Sequence, residues 1–219
     1  MKKIILMSAI ALTSIGARAQ DLNTVLEKTF TSFDTTWDQA KQVEFSNKLS
    51  LIAKRWDTSW LTHYYLAFSR VVLTYQEKDP NKKDSYLDEA EKELQDAVSI
   101  LKKDNDETYV LAAQIANARM GVDPMQRYQK YGPIFKEDLE NAQEINPDNP
   151  RMYYLQGVAK FFTPKAYGGG KKTALPYFEK AEGLFTKEAA AGKDITMPHW
   201  GKNKNEYFLN QCKTEDKDN

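Results

Sequence analysis

The sequence contains a single cysteine, two histidines and no excess of charge of either sign. One cysteine excludes an internal disulfide and any metal site made of several cysteines. Neither histidine has a second one four residues away, so there is no helical zinc pair, and we expect no metal. The 31 basic side chains balance 31 acidic ones, which gives no basic face, and we expect no nucleic-acid partner.

Proline and glycine are also scarce, with eight and ten residues, which excludes a collagen-like or low-complexity chain. No long apolar run follows residue 19, so we expect no transmembrane segment in the mature chain. Hydrophobic side chains still make up 41% of the sequence, which is enough to form a core. These features indicate an ordinary soluble domain.

The N-terminus has the three parts of a secretory signal. A basic start at residues 1–3 precedes an apolar run at residues 4–15, and residues 17–19 (Ala-Arg-Ala) fit the small-x-small cleavage pattern. We predict a signal peptide over residues 1–19, cut between Ala19 and Gln20, and a mature protein that is periplasmic or secreted. The alternative is an ordinary buried N-terminal helix.

Two sequence patterns alternate along the mature chain. The first is Tyr-x-Leu, at residues 64–66, 109–111, 153–155 and 207–209. The second has apolar residues at spacings of four and three, which places them on one face of a helix. Its three copies are Ala90, Leu94 and Ala97; Phe135, Leu139 and Ala142; and Ala174, Phe178 and Ala181. We expect these side chains to pack between neighbouring helices.

Capping signals divide the chain into helices. Ser85 with Asp88 forms a capping-box pattern, and Asn149-Pro150 gives a helix cap followed by a first-turn proline. Gly132-Pro133 indicates the start of a new helix. Loops are predicted at residues 77–84, 121–132, 163–170 and 189–198, and a charged, disordered tail at residues 213–219. Helices are predicted at roughly 22–33, 36–55, 58–76, 85–103, 106–120, 133–145, 150–162, 171–188 and 200–212.

Across about residues 36–212 the chain resembles the tetratricopeptide-repeat (TPR) superfamily, and in particular exported bacterial members with elongated repeats. In that family an aromatic and a small residue mark the first helix of each unit, and A-x3-F-x2-A marks the second. The resemblance implies an all-α fold of antiparallel helical hairpins, stacked as a right-handed solenoid in a single domain at residues 20–212. The positions it assigns to repeat packing, called the packing residues below, are Tyr64, Ala90, Leu94, Ala97, Tyr109, Leu139, Ala142, Tyr153, Gly157, Ala174, Phe178 and Ala181.

In TPR proteins the first helices line a concave surface. If the tyrosines at 64, 109 and 153 face the core, the next residue and those one or two turns later face this groove. The groove positions are then Tyr65, Ser69, Val110, Gln114, Asn117, Tyr154, Val158 and Phe161. Aromatic walls with a few amides suit recognition of a peptide or small ligand. The alternative is that aromatics at this spacing belong to the core.

Two further features have competing interpretations. Residues 167–170 (Tyr-Gly-Gly-Gly) precede two lysines, and they either hold an anion on free amides or form a connector that needs positive φ. A nucleotide loop is excluded because Lys172 occupies the Ser/Thr position. The four tryptophans near the ends of the array either cap its core or form an exposed contact site: Trp37, Trp56, Trp60 and Trp200.

No residue pattern indicates catalysis. No serine lies in G-x-S-x-G, and the abundant carboxylates fall at solvent-face spacing, as Glu89 and Glu93 do. We therefore expect no enzyme activity, no catalytic residues and no cofactor. The predicted function is an exported, non-catalytic adaptor or scaffold in the bacterial envelope that binds a protein or peptide. The alternative is a periplasmic small-ligand-binding or transporter-associated helical-repeat protein.

Overall fold

The computed structural model describes residues 22–192 and 194–214, which form helices and, within these ranges, no strand. The predicted all-α fold is confirmed. The predicted signal peptide and residues 215–219 of the predicted tail lie outside the described residues. The helices are α1 at 22–35, α2 Gln39–Arg55, α3 Trp60–Leu73, α4 Pro80–Leu101, α5 Asp106–Val122, α6 Pro124–Ile145, α7 Pro150–Phe162, α8 Lys171–Ala190 and α9 Lys202–Lys213.

From α2 to α9, helices that follow one another in the chain pack against each other. In addition, α3 contacts α5, and α5 contacts α7, so these three helices form a row. The helices α4, α6 and α8 pack against α3, α5 and α7 respectively. The chain is therefore a stack of helical pairs, as the repeat pattern indicates, while the right-handed solenoid path stays a prediction.

The packing residues on α4, α6 and α8 are all buried, as are Tyr64, Tyr153 and Gly157. Tyr109 differs, because its ring is half-buried whereas the neighbouring Val110 is fully enclosed. The reason is that α5 has helices on several sides, α3, α4, α6 and α7. A helix surrounded in this way has no single apolar stripe that could fix which residue faces the core.

Two helices begin earlier than the sequence predicts. The loop predicted at 77–84 is wrong in its second half, because α4 starts at Pro80 with Asp79 as N-cap, and Ser85 lies inside the helix. Likewise α6 starts at Pro124 behind the Asp123 cap and runs through Pro133. Both starts are a capping residue followed by proline, the signal that correctly located α7. Extensive packing of α6 against α5 offsets the cost of a proline inside the helix.

The approach of α7 to α8 depends on the absence of a side chain at Gly157. A Cβ atom there would lie 2.6 Å from Phe178 Cε1, in a fully buried ring. We expect Gly157→Ala to lower the free energy of unfolding by about 1–3 kcal/mol through overpacking. Gly183 is the matched control, because a Cβ on this exposed helical glycine meets nothing within 4 Å. Gly183→Ala should instead raise stability by up to about 1 kcal/mol, measured by urea unfolding. Equal effects of the two variants would contradict close packing at Gly157.

An enclosed ion cluster, formed by Arg151, Glu107 and Glu188, joins α5, α7 and α8. Arg151 is fully buried, and its Nη2 donates to Glu107 Oε1 at 2.6 Å and to Glu188 Oε2 at 2.8 Å. Tyr64 of α3 donates its hydroxyl to Glu107 at 3.1 Å, and Trp200 Nε1 donates to the Tyr64 hydroxyl at 2.8 Å. The cluster therefore fixes the relative positions of four helices and of the segment before α9.

Candidate ligand-binding face

Aromatic rings from α7, α8 and α9 form one connected group. Phe208 on α9 stacks on buried Phe178, with ring centroids 5.6 Å apart and planes inclined by 8°. Phe161 and Phe162, at the end of α7, lie 5.2 Å and 5.8 Å from Phe208. Phe178 is enclosed, whereas Phe162 is 68% exposed, so the group runs from the core to the surface.

The rings continue across α9 to the connection between α1 and α2. Tyr207 lies 5.3 Å from Phe208 and 6.4 Å from Trp37, measured between ring centroids. Trp37 is 67% exposed, and Lys204 Nζ lies 3.3 Å from the centroid of its ring. A lysine over an indole gains from a cation–π interaction. Trp37 therefore does not cap the core, while its role as an exposed contact site stays a prediction.

Polar groups lie beside these rings. Gln114 on α5 donates Nε2 to the Tyr75 hydroxyl at 3.1 Å, just beyond the end of α3. The Oε1 atom of Gln114 is buried and has no hydrogen-bond partner in the described part of the chain. Leaving a buried acceptor unpaired is costly, so this oxygen is suited to a donor supplied by a ligand or a water molecule.

The polar groups and the rings interact electrostatically. Burial raises the pKa of Tyr154 on α7 well above its usual range, and the nearby Tyr75 hydroxyl and Asp34 carboxylate raise it further. Burial also raises the pKa of Asp34, while the positive charge of Lys204 opposes this rise. Asp34 is therefore close enough to both Lys204 and Tyr154 to interact electrostatically with each of them. We call this surface the aromatic face, lined by Trp37, Tyr75, Tyr154, Phe161, Phe162, Tyr207 and Phe208.

The predicted groove positions divide into two groups. Tyr65, Ser69, Val110 and Gln114 are buried, whereas Asn117, Tyr154, Val158 and Phe161 are half-buried. Of the eight, Tyr154 and Phe161 lie on the aromatic face, Gln114 bonds to it, and Val158 packs against the hydrophobic cluster beneath it. Whether these positions bind a ligand stays a prediction.

The α3 end of the predicted groove is filled by the chain itself. The Tyr65 hydroxyl donates to the Met197 carbonyl at 3.1 Å and lies 3.0 Å from His199 Nδ1. Trp200 follows and is buried against Phe68, with ring centroids 4.6 Å apart. Met197 and His199 thus occupy the place that a ligand would need near Tyr65.

Most residues of the aromatic face were missed by the sequence analysis. Tyr75, Phe162 and Tyr207 are all at least half exposed, a signal that only the folded chain reveals, whereas Trp37 was already a candidate contact residue. Their sequence positions are far apart, and no local period links them. The recurrent Tyr-x-Leu at 207–209 did mark α9 as a repeat element, but it gave no reason to place Tyr207 at the surface.

The glycine loop before α8 acts as a connector. The amides of Gly168, Gly169 and Gly170 donate to backbone carbonyls, at 3.1, 3.2 and 2.8 Å, so they are not available to an anion. Gly168 and Gly170 have φ of 79° and 98°, which favours glycine. The loop thus has the positive φ angles that the connector interpretation requires, and it positions α8 beside α7.

Comparison with known proteins relates this architecture to others. Residues 30–167, more than half of the chain, match the family model described as regulator of microtubule dynamics protein 1-3. The chain belongs to this family. A similar solved structure is the HusA haemophore from Porphyromonas gingivalis, which shares 32% sequence identity with a TM-score of 0.72. The likeness covers 89% of this chain and 92% of that chain, while no curated protein sequence matches.

Proposed function

We propose that this protein is an exported, non-catalytic carrier of haem or a similar flat tetrapyrrole, which it binds on the aromatic face. The observation that carries the proposal is a connected set of rings in which the exposed Trp37, Tyr207 and Phe162 are joined through the half-buried Phe208. Similarity to a haemophore over 89% of the chain supports the choice of ligand. The proposal takes up the small-ligand alternative of the sequence analysis.

The chemistry of the aromatic face suits such a ligand. Haem is a wide, planar, conjugated ring that carries two carboxylates at one edge. Offset or edge-to-face contacts with aromatic side chains contribute about 0.5–1.5 kcal/mol each beyond area burial. Lys204, over the exposed Trp37 ring, offers a cation for a ligand carboxylate at the edge of the face.

Export and the absence of catalysis are parts of the same proposal. The basic, apolar and small-residue segments of residues 1–19 support a cleaved signal. Among the described residues, no helix is long and apolar enough to cross a membrane. A carrier needs affinity rather than reactive groups, and the aromatic face consists mainly of rings.

Titration with haemin tests the proposal. We expect residues 20–219 to shift the Soret absorbance of haemin with saturation at a defined stoichiometry. The double variant Trp37→Ala/Phe162→Ala should weaken binding at least about tenfold, because it removes two exposed ring contacts. The matched control is Met125→Ala/Tyr128→Ala, which removes two exposed apolar side chains from α6 that lie outside the aromatic face. Equal affinity in both double variants would exclude the aromatic face as the binding surface.

A protein or peptide is the other occupant that an exposed aromatic surface suits. If haemin does not bind, the same pair of double variants tests this adaptor function by affinity capture from the native envelope. A partner lost from Trp37→Ala/Phe162→Ala and retained by the α6 control would replace the carrier proposal with the adaptor.

A further inference from the structure

A second candidate site lies in a cleft of about 300 Å³ that shares no residue with the aromatic face. The cleft is bordered by the end of α2, the start of α3 and the middle of α4, and its lining includes Asp57, His63, Glu93 and Asp96. None of these side chains takes part in the enclosed ion cluster. Their arrangement therefore needs a separate explanation.

The cleft brings one imidazole and two carboxylates together. Glu93 and Asp96 are three residues apart on α4, so they point from the same side of the helix. His63 faces them from α3, and one ligand atom from each of the three residues lies within 4.8 Å of the other two. A histidine pair four residues apart cannot indicate this site, because its ligands come from two different helices.

His63 is held in place before any ligand arrives. Its Nδ1 lies 2.7 Å from Glu93 Oε2, and its Nε2 lies 3.3 Å from the backbone oxygen of Asp57. The His63 side chain is only 12% exposed, which limits its rotamers. Nδ1 therefore faces the carboxylate side of the cleft, while Nε2 is directed at a backbone oxygen, which is how proteins orient a metal-binding histidine through its non-ligating nitrogen.

We propose that His63, Glu93 and Asp96 bind one divalent transition-metal cation of the Zn²⁺ class. An imidazole nitrogen favours Zn²⁺ over Mg²⁺ or Ca²⁺, which prefer all-oxygen sites. Two carboxylates balance the charge of the ion, and three protein ligands leave a fourth position for water. Binding requires neutral His63, so any proton on the ligating nitrogen passes to solvent.

One existing contact competes with the metal. Lys92 Nζ lies 2.9 Å from Asp96 Oδ2, in a pair whose lysine is mostly exposed. Such surface pairs between residues i and i+4 contribute little, so a dication displaces the lysine easily. Replacing Lys92 should therefore raise the affinity for the metal ion, whereas replacing a ligand residue should lower it.

Calorimetric titration of tag-free residues 20–219 with ZnCl₂ tests this site. We expect one ion per chain, and a loss of affinity of at least about tenfold in both His63→Ala and Asp96→Asn. Lys92→Gln should bind at least as tightly as the parent. His199→Ala controls for adventitious binding by the other histidine and should bind normally.

Cobalt(II) absorption provides an independent readout. A tetrahedral Co²⁺ site gives visible d–d bands, which should appear with the parent and vanish in His63→Ala. Helical circular dichroism of each variant checks that the fold is retained. Binding that persists in His63→Ala and Asp96→Asn, or that is lost in His199→Ala, would overturn the proposal. Haemin binding need not change in these variants, so this proposal and the carrier function fail separately.

Discussion

Replacing Arg151 by methionine should lower the free energy of unfolding by about 3–5 kcal/mol, because it leaves buried carboxylates without their cation. The side chain of Glu107 is 2% exposed, and that of Glu188 is 9% exposed. Arg151 also donates Nη1 to the Trp200 carbonyl at 3.3 Å, so its loss weakens the attachment of the segment before α9. Urea unfolding followed by circular dichroism measures the effect.

The effect of Arg151→Met should depend on pH. Burial raises the pKa of Glu107, and the Arg151 guanidinium opposes this rise. Without the guanidinium the pKa rises further, so the folded variant takes up a proton more readily than its unfolded chain. A folded pKa above the unfolded value means that stability falls as pH rises through that range. The destabilisation relative to the parent should therefore be largest near neutral pH and smaller in mild acid.

Two controls separate the buried charge from a general loss of arginine contacts. Lys48→Met removes an exposed pair with Glu44, and it should change stability by no more than about 0.5 kcal/mol. Adding Glu107→Leu to Arg151→Met should recover part of the loss, because one of the two carboxylates left without a cation is gone. A loss below about 1 kcal/mol in the single variant would contradict an enclosed ion cluster.

Phe178→Ala is the second variant for which we expect a large effect. It should lower the free energy of unfolding by about 3–5 kcal/mol. Phe178 is fully buried, stacks on Phe208, and has Tyr154 and Phe161 within 6.5 Å of its ring centroid. Removing this ring leaves a cavity beneath the aromatic face. We therefore also expect weaker haemin binding, because Phe208 loses the ring that holds it.

Phe162→Ala is the matched comparison for Phe178→Ala. Phe162 is mostly exposed, so stability should change by no more than about 0.5 kcal/mol while haemin affinity falls. Urea unfolding and haemin titration of both variants distinguish a residue that supports the aromatic face from one that contacts the ligand. If Phe178→Ala were as stable as Phe162→Ala, the ring would not be the packing centre that the distances indicate.

The packing of the helical pairs could be predicted from the sequence, because it follows a local period. Ala174, Phe178 and Ala181 recur on one side of α8, and all three are fully buried. Local capping signals likewise located α7, since Asn149-Pro150 needs no distant information. The same signal occurs at Asp79-Pro80 and Asp123-Pro124, whereas the predicted helices begin at residues 85 and 133. The predicted α4 and α6 are therefore too short at their N-termini.

The candidate site could not be predicted in the same way, because it is made by contacts between distant parts of the chain. Trp37 meets Tyr207, and Tyr75 meets Gln114, through folding alone. Tyr65 satisfies the period for a groove position, yet the segment around Met197 covers it. A helical period predicts which face of its helix a residue occupies, but it does not predict which residues from elsewhere in the chain pack against that face.

The position of Trp200 has a consequence for the order in which the protein is made. Its indole bonds to Tyr64 and packs on Phe68, so the centre of the core is completed by a residue that follows α8 in the chain. During synthesis, residues 22–192 emerge before Trp200, so the nascent chain lacks its final interior until the segment before α9 has been made. If the proposed export uses a channel that takes unfolded substrates, such late completion of the core keeps the polypeptide able to pass through that channel until translocation has begun.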